Sequence, residues 1–329
     1  MRSCPRANEN GPVIEVLIVV VTYNSVQYIE NCLRSVNETF AVDGKFSFLA
    51  CVVDNCSVDG TRNILEKIKS EYDWLRIVLL DENVGFGAGN NVAMKSYSAG
   101  SYFLLNVDAY FVGDSISEAL KATQRDKNIG VLGVPLVYPD GTPQSSSFVL
   151  STWHRWLLSI LGARSLLVWL LRFKFLRYLI SKSKYGHSFA VTHSKPIVNF
   201  SKFEKLNSSY TGRLTNVDWV SGAAMLLTAS FVADSGGFDE KIFLYGEDED
   251  ICITARKHNY SVKTVDTLPI AHFLGWGASE FKPQLALLKY QSLRYFIQKN
   301  VDGKINRVLM RVLLPVYVYK WRVTIMLFR

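Results

Sequence analysis

Cysteine is scarce in this 329-residue chain, and no cysteine motif is present. The five cysteines are Cys4, Cys32, Cys51, Cys56 and Cys252. They form no CxxC pair and no series of metal ligands with the five histidines. An odd, scattered set in a chain of this length is typical of reduced thiols in the cytosol.

An export signal is also missing from the N-terminal part of the sequence. The apolar residues 13–21 are interrupted by Glu15, and Thr22-Tyr23-Asn24 follows without a small-residue cleavage site. We therefore expect a buried strand at 13–21 and a cytoplasmic protein.

Acidic residues are nearly absent from residues 151–215. This segment has 11 Lys and Arg against one Glu, a balance of +10 in a chain with a net charge of +8. The remainder of the chain therefore carries −2. A basic segment rich in Trp, Leu and Phe suits an anionic membrane surface better than nucleic acid, so we expect no nucleic-acid partner.

Long apolar runs are missing from the same segment. The uncharged residues 165–171, between Arg164 and Arg172, are far fewer than the ~20 that a spanning helix needs. We expect 151–185 to form an interfacial or re-entrant element, aided by 308–329, that holds the protein peripherally on the inner face of the plasma membrane. The alternative is a helical cap packed on protein with a solvated basic rim.

Two nucleotide-binding motifs are absent. The segment Gly85-Phe86-Gly87-Ala88-Gly89 is not a GxGxxG dinucleotide fingerprint, because Asn90 stands where the third glycine would be. The first apolar segment leads into Thr22-Tyr23-Asn24-Ser25, whereas a nucleotidyltransferase would have a glycine-rich loop with a lysine there. Both observations disfavour those classes.

Alternation of strand and helix is what the sequence does contain. Predicted strands lie at 13–21, 48–53, 76–80 and 102–105, with helices at about 25–37, at 61–70 and after 83–91. This spacing predicts an α/β protein with a mostly parallel, doubly wound sheet. The pattern stops after 135–141. It resumes with a sheet-like segment at 217–228, helices at 229–235 and 248–259, a strand near 261–266, a helix at 283–299 and a basic apolar tail at 305–329.

Acidic residues follow two of the apolar segments. Asn106-Val107-Asp108 follows the strand at 102–105, and Glu247-Asp248-Glu249-Asp250 follows the apolar residues 242–246. Ligands of α/β folds bind beyond the carboxyl ends of strands. One acidic group could hold a divalent cation on a diphosphate and the other could deprotonate a hydroxyl, which suggests group transfer from an activated donor.

The crowding of four acids has a chemical consequence. They cannot all ionise in a confined pocket without raised pKa values, and a raised pKa suits a general base. An acidic helix N-terminus, favoured by the helix dipole, is the structural alternative.

The ordered motifs resemble the family-2 glycosyltransferases of the GT-A fold, most closely the rhamnosyltransferase-like branch. The matching segments are 20–24, 52–61, 83–91, 104–108, 219–223, 237–240 and 245–252. The resemblance implies a GT-A domain at 13–280, with a donor-nucleotide half at 13–135 and an acceptor half at 216–280. It leaves the basic insert 151–215 and a C-terminal helical tail at 281–329 outside the matched segments.

The resemblance also implies donor-binding residues, each with a structural alternative. They are Thr22, Tyr23, Asn24, Asp54, Asn55, Gly85, Gly87, Asn90 and Asn106. Tyr23 would stack on a pyrimidine, or else pack under a helix. Asp54 would accept the imide N–H, or else cap a helix. The glycines would let the backbone approach phosphate or sugar, or else form a flexible loop.

Metal, catalytic and acceptor residues follow from the same resemblance. Asp108, with Asn106 in place of the usual first aspartate, would bind Mg²⁺ or Mn²⁺, assisted by His272; a strand-end Asp and a structural His are the alternatives. Asp248 would be the general base and Glu247 would orient the acceptor. The acceptor-binding residues would be Trp219, Ser221, Gly222 and Asp250, the last of which could instead anchor its helix.

Together these features predict an inverting, metal-dependent glycosyltransferase. We expect transfer of rhamnose from dTDP-rhamnose to a lipid-linked or polysaccharide acceptor in the assembly of a bacterial surface glycan such as O-antigen. No enzyme nucleophile is needed for a single displacement. The alternatives are another donor (UDP-galactofuranose, a UDP-hexose or GDP-mannose) and a catalytically silent membrane scaffold.

Overall fold

The computed structural model describes residues 14–41, 45–161, 210–273 and 283–327. In the first two ranges the strands are β1 (Val16–Thr22), β2 (Phe48–Asp54), β3 (Leu75–Leu79), β4 (Ser101–Leu105), β5 (Ala109–Phe111), β6 (Ile129–Gly133), β7 (Leu136–Val137), β8 (Pro143–Gln144) and β9 (Ser147–Phe148). The α-helices are α1 (Ile29–Val36), which a π-helical turn at Asn37–Ala41 follows, α2 (Thr61–Lys69), α3 (Phe86–Ser96), α4 (Ile116–Arg125) and α5 (Trp153–Ile160).

The remaining described residues form the second half of the fold. The strands are β10 (Leu214–Asn216), β11 (Trp219–Val220), β12 (Ala224–Thr228), β13 (Ser261–Val265) and β14 (Ile270–His272). The helices are α6 (Ala229–Ser235), α7 (Glu247–Lys257), α8 (Pro283–Asn300) and α9 (Lys304–Leu327). Most of the expected interfacial element 151–185 lies outside the described residues, which include only 151–161 from it.

One eight-stranded sheet organises the fold, in the order β10-β13-β6-β12-β4-β1-β2-β3. Among the described residues its parallel pairs are β1–β2, β1–β4, β2–β3 and β13–β6. The antiparallel pairs are β12–β4, β12–β6 and β10–β13. The predicted α/β architecture with a mostly parallel sheet is therefore confirmed, with β12 as an antiparallel strand inside it.

Both faces of this sheet are buried, as the continuous apolar strands predict. Successive strand residues point to opposite faces, so Ile18 and Val20 pack with α1, α2 and α4 while Leu17 and Val19 pack with α3, α6 and α7. Helices on both faces confirm the predicted doubly wound arrangement.

Two predicted helix boundaries differ from the structure. The helix expected from about 25 begins only at Ile29, and the residues before it form a turn in which the Tyr28 N–H donates to Ser25 O at 3.0 Å. The glycine segment does not form a loop, since α3 begins at Phe86 and contains Gly87 and Gly89. The predicted helices at 61–70, 229–235 and 283–299 match α2, α6 and α8 within one residue.

A smaller sheet has the strand order β5-β14-β7-β8 and carries His272, one of the candidate metal ligands. Antiparallel pairing of β14 with β5 places His272 opposite Ala109, the residue after Asp108. This register brings together two side chains that are far apart in the sequence.

The C-terminal helices pack against α5. Their shared apolar cluster contains Trp156, Leu293, Ile297, Met310, Leu314 and Val318. The ring of Trp156 stacks on that of Tyr317 at 4.5 Å between centroids. Within the described ranges, no helix combines the length and the hydropathy needed to cross a bilayer.

Candidate active site

A cavity of about 800 Å³ opens where β1 and β4 end and α7 begins. Twelve of the residues predicted from sequence lie in its wall: Thr22, Tyr23, Asn24, Asn55, Gly85, Asn106, Asp108, Ser221, Gly222, Glu247, Asp248 and His272. Five others lie outside the wall: Asp54, Gly87, Asn90, Trp219 and Asp250. The fold thus collects most of the predicted site at a single cavity.

The first side of the cavity is formed by the ends of β1 and β2. The backbone N–H of Asn55 donates to Thr22 O at 2.8 Å, and its side chain donates to Gly85 O at 3.1 Å. These bonds fix the relative positions of three predicted donor-binding residues. Thr22 Oγ1 and Asn55 Oδ1 are buried without a protein partner, so a ligand could use both. Tyr23 is 42% exposed, which leaves ring surface available for stacking.

Asp54 is fully buried behind this wall. Its Oδ2 accepts hydrogen bonds from Arg62 Nε at 2.6 Å and from the Ser57 N–H at 3.0 Å. Arg62 also donates to Leu80 O. The structure therefore pairs Asp54 with an arginine, and its expected contact with a pyrimidine stays a prediction.

The glycine segment contributes differently at each position. Gly85 has φ +91° and lines the cavity, and a Cβ there would lie 2.4 Å from Phe243 O. Only glycine permits this approach of the two loops. At Gly87 a Cβ would lie 3.0 Å from the Phe238 side chain, so the glycine at this position allows α3 to pack against Phe238. Asn90 is buried and donates to Phe86 O at 2.9 Å, and it is not among the residues that line the cavity.

Asp108 and His272 face each other in the wall. His272 Nε2 lies 3.2 Å from Asp108 Oδ1, and His272 Nδ1 lies 2.7 Å from Gln144 Oε1. When Nδ1–H donates to the Gln144 carbonyl, Nε2 keeps a lone pair that points toward the Asp108 carboxylate. Two acceptors in that arrangement fit a shared cation.

The ligand set at this position is small. Within the described ranges, no group of three or more His, Cys, Asp and Glu side chains could hold a metal ion. A cation bound by Asp108 and His272 would therefore complete its shell with oxygens of a bound ligand and water, as Mg²⁺ commonly does. Gln144 is a residue that sequence reasoning missed, because it lies in a short strand that carries no motif.

The other acidic group enters the cavity from the first turn of α7. Asp248 Oδ1 accepts the Glu249 N–H at 3.0 Å, and Oδ2 lies 3.5 Å from the Gly222 N–H. Burial, followed by the charge on Asp248, raises the pKa of Glu247 to about 8. Burial also raises the pKa of Asp248. The predicted effect of crowding on the pKa is thus present at Glu247, with desolvation as the larger cause.

The other two acids of the cluster point away from the cavity. Successive helix residues are rotated by about 100°, so four adjacent side chains cannot share one direction. Glu249 accepts hydrogen bonds from Ser151 N and Oγ at 2.5 and 2.7 Å. Asp250 is buried and accepts from Lys299 Nζ at 2.8 Å and Asn300 Nδ2 at 2.6 Å. Asp250 therefore anchors α7 to α8, the alternative foreseen for it.

The predicted acceptor residues divide in the same way. Ser221 and Gly222 line the cavity next to Asp248. Trp219 instead stacks on Phe148 at 4.3 Å and donates its indole N–H to Val149 O. Its ring therefore contacts the β9–β11 pair and is absent from the wall.

Part of the wall comes from the C-terminal helices, whose contribution the sequence did not indicate. α8 supplies Gln284, Leu285 and Leu288, and α9 supplies Trp321. Together with Phe243 and Leu244 they make one side of the cavity largely apolar. The signal that sequence reasoning could have used is the Leu285–Leu288 spacing within a predicted helix.

Known proteins are similar to this chain in sequence and in fold. The family described as Glycosyl transferase family 2 matches residues 17–206, more than half of the chain. The chain belongs to glycosyl transferase family 2. The predicted family is confirmed.

Curated relatives in this family are distant. The N-acetylglucosaminyl-diphospho-decaprenol L-rhamnosyltransferase of Mycobacterium tuberculosis is 26% identical over 71% of this chain and 68% of its own length. The putative teichuronic acid biosynthesis glycosyltransferase TuaG of Bacillus subtilis is 28% identical over 39% of this chain and 50% of its own length. The chain thus spans half of TuaG, and only 30% of glycosyltransferase AglE from Haloferax volcanii.

Solved structures of other transferases have the same fold. GalNAc-T7, solved with UDP, GalNAc and Mn²⁺, aligns with a TM-score of 0.57 at 12% identity, over 96% of this chain and 57% of that one. The mannosyltransferase PcManGT of Pyrobaculum calidifontis, solved with GDP-Man and Mn²⁺, aligns with a TM-score of 0.53 at 15% identity, over 98% and 76%. These likenesses confirm the predicted GT-A fold.

The anchoring role of Asp250 leads to a stability prediction. Asp250→Ala removes the carboxylate that Lys299 and Asn300 share, while Lys299 keeps its ion pair with Asp239, so we expect the free energy of unfolding to fall by about 2 kcal/mol. Urea denaturation measures this change. Asp302→Ala, at an exposed residue between α8 and α9, should change stability by less than ~0.5 kcal/mol. Equal effects of the two substitutions would contradict the anchoring role.

Proposed function

We propose that the protein transfers a sugar from a nucleotide-diphosphate donor to an acceptor hydroxyl with inversion at the anomeric carbon. The observation that carries this proposal is the presence of two different pairs of titratable residues in the wall of one cavity. Asp108 with His272 suits a cation, and Asp248 with Glu247 suits proton transfer. A cavity of this volume accommodates a nucleotide sugar together with the end of an acceptor.

The donor side is assigned to the ends of β1, β2 and β4. The exposed ring of Tyr23 would stack on the base, and Thr22 Oγ1 and Asn55 Oδ1 would hydrogen-bond to the nucleotide. Nucleotide-sugar complexes of the structural neighbours GalNAc-T7 and PcManGT, both containing Mn²⁺, support a donor of this class. Asn106 and Asp108 follow β4 in the same wall, where a diphosphate would lie.

Asp108 and His272 would hold Mg²⁺ or Mn²⁺ at this position. The cation would offset negative charge on the departing diphosphate. Gln144 would fix the orientation of His272 through its 2.7 Å contact with Nδ1. The chain itself therefore supplies two ligand atoms and the residue that orients one of them.

Proton transfer is assigned to Asp248. As the acceptor oxygen bonds to the anomeric carbon, its proton passes to the Asp248 carboxylate while the bond from that carbon to the donor phosphate oxygen breaks. Burial raises the pKa of Asp248 toward neutral pH. A general base is most effective when its pKa lies near the pH at which it works. Glu247, with a pKa of about 8, would remain protonated at neutral pH and donate a hydrogen bond to the acceptor.

The favoured substrates are dTDP-rhamnose and a lipid-linked glycan. Support comes from the mycobacterial relative, whose name specifies rhamnosyl transfer to a diphospho-decaprenol-linked sugar. The apolar side of the cavity, with Leu285, Leu288 and Trp321, suits an acceptor with a lipid near its sugar. We place the reaction in the assembly of a bacterial cell-surface polysaccharide.

A transfer assay tests the proposal. Wild-type protein is incubated with Mn²⁺, a short polyprenyl-diphosphate N-acetylglucosamine and each of dTDP-rhamnose, UDP-glucose and GDP-mannose, and products are identified by mass spectrometry. We expect product from dTDP-rhamnose. Asp248→Asn should lower kcat about 10³-fold, because the proton acceptor is lost, and leave donor affinity nearly unchanged.

The control for this substitution is Asp234→Asn, an exposed acid outside the cavity that should retain full turnover. Retained turnover of Asp248→Asn would remove Asp248 as the base. Product from none of the donors, with an otherwise folded protein, would contradict the proposed activity.

The cation proposal has a readout that needs no turnover. Asp108→Asn should abolish the gain in nucleotide affinity that Mn²⁺ produces, measured by calorimetry with dTDP or UDP. Gln144→Leu should weaken the Mn²⁺-dependent part about tenfold, because His272 loses its orienting partner. Gln124→Leu, on the exposed face of α4, is the matched control. Identical affinities with and without Mn²⁺ in the wild type would contradict the site.

Peripheral membrane binding is assigned to the outer face of α9. Five apolar residues there are 49 to 76% exposed and recur at spacings of three and four: Ile305, Val308, Val312, Val316 and Tyr319. They form one stripe along the helix. The helix also carries Lys304, Arg307, Arg311, Lys320 and Arg322 and no acid. An apolar stripe bordered by cations has the chemistry that an anionic lipid surface binds.

Vesicle sedimentation measures this binding. The double substitution Val308→Glu with Val312→Glu should reduce binding to phosphatidylglycerol vesicles at least about tenfold, because it puts negative charge in the stripe. Val149→Glu, also at an exposed valine, is the control. Equal binding of wild type and double variant would contradict the assignment. So would loss of self-association by the variant without any dependence on lipid charge.

A further inference from the structure

A buried lysine on α8 interacts electrostatically with Glu247 and Asp248 and has no role in the proposed reaction so far. Lys289, in the middle of α8, is only 7% exposed. Its Nζ lies 4.3 Å from the ring centroid of Tyr245 and 3.9 Å from that of Trp321. The two rings meet at 70°, with centroids 5.3 Å apart. The ammonium therefore contacts two aromatic rings, which partly replace the water that burial removes.

The rings come from two different parts of the fold. Trp321 belongs to α9, whereas Tyr245 lies two residues before Glu247. Tyr245 has φ +69° and Gly246 has φ +101°, so the turn into α7 contains a non-glycine residue in the left-handed region. Such a conformation persists when neighbours hold it. α8 contacts this turn twice, through Lys289 and through Ser292, whose hydroxyl accepts the Leu244 N–H at 3.3 Å.

The charges around Lys289 come from the start of α7. Asp248 and Glu247 both raise the pKa of Lys289, although burial outweighs them and lowers it to about 7. Lys289 in turn lowers the pKa of both carboxyls, against the effect of their burial. Asp250 acts on Glu247 in the opposite sense. The hydroxyl of Tyr245 is also near Glu247 and has a pKa raised by burial.

We propose that Lys289 is a positioning residue, whose ammonium between Tyr245 and Trp321 controls the ionisation of Asp248 and Glu247. It also fixes the turn that carries them, so the C-terminal helices complete the catalytic end of the cavity. This inference rests on the proposed function only for the role of Asp248 as base.

The expected pH dependence follows from the charge of Lys289. Below about pH 7 the lysine is protonated and favours ionised carboxylates, so the base keeps its negative charge to lower pH. As the pH rises through about 7 the ammonium loses its proton and this effect fades. Removal of the charge should therefore lower kcat mainly on the acidic side of the pH profile.

Three variants test this inference in the transfer assay. Lys289→Met should lower kcat about tenfold at pH 6 and approach wild type near pH 9, because the carboxylates then ionise only at higher pH. Lys289→Arg keeps the charge, so its acidic limb should stay at the wild-type position. Lys95→Met removes one exposed positive charge outside the cavity and should leave the profile unchanged. A loss of equal size at every pH, or an unshifted profile in Lys289→Met, would overturn the proposal.

A second measurement does not depend on turnover. The ¹³C carboxyl resonance of Glu247, assigned by its absence in Glu247→Gln, is titrated in wild type, Lys289→Met and Lys289→Arg. Its midpoint should rise in Lys289→Met and stay near the wild-type value in Lys289→Arg. Lys289→Gln replaces the methionine variant if that variant does not fold. Identical midpoints in wild type and the neutral variant would overturn the proposal even if no donor were ever turned over, which separates this failure from failure of the proposed function.

Discussion

The pairing of β12 with β4 is the interaction on which the cavity depends. β12 comes from the second half of the chain and pairs with β4 over five residues, and it also pairs with β6. Beyond the end of this pairing the Asn106 N–H donates to Ala223 O at 3.0 Å. The residues before Asp108 are therefore hydrogen-bonded to the segment that contains Ser221 and Gly222. Without that pairing the cation ligands and the acids of α7 would belong to separate surfaces.

Desolvation then determines how the acids of α7 behave. Glu247 and Asp248 are turned into the cavity, whereas Glu249 and Asp250 are satisfied by Ser151 and by Lys299 with Asn300. A helix N-terminus stabilises anions, but burial has the larger effect on the two inward acids. The same four residues thus supply both an anchor for the helix and a pair of carboxyls with raised pKa values.

The sequence predicted the sheet, the edge of the sheet at which the cavity lies and twelve residues of the cavity wall. It could do so because apolar strands and the polar residues that follow them are local features. It could not separate Asp54 from Asn55, since only the backbone register decides which of two adjacent side chains faces the cavity. The sequence predicts ligand-binding roles for Asp250 and Gly87, yet both lie outside the cavity wall. The reason is similar, because the rotation of a helix about its axis depends on its neighbours. Lys289 and Gln144 carry no motif at all. Their positions depend on contacts between distant segments, Gln144 with β14 and Lys289 with the turn before α7.

The helix α9 connects the cavity with the exposed apolar stripe. Trp321 contacts Lys289 and lines the cavity, while Val312, nine residues earlier, belongs to the exposed stripe. At about 100° per residue these two side chains point in nearly opposite directions from the helix axis. A lipid surface bound to the stripe would therefore lie one helix diameter, roughly 10 Å, from the apolar side of the cavity. An acceptor anchored in that surface would have to reach across only this distance. Any shift of α9 on the membrane would also move Trp321, and with it the contact between Trp321 and Lys289 beside the acids of α7.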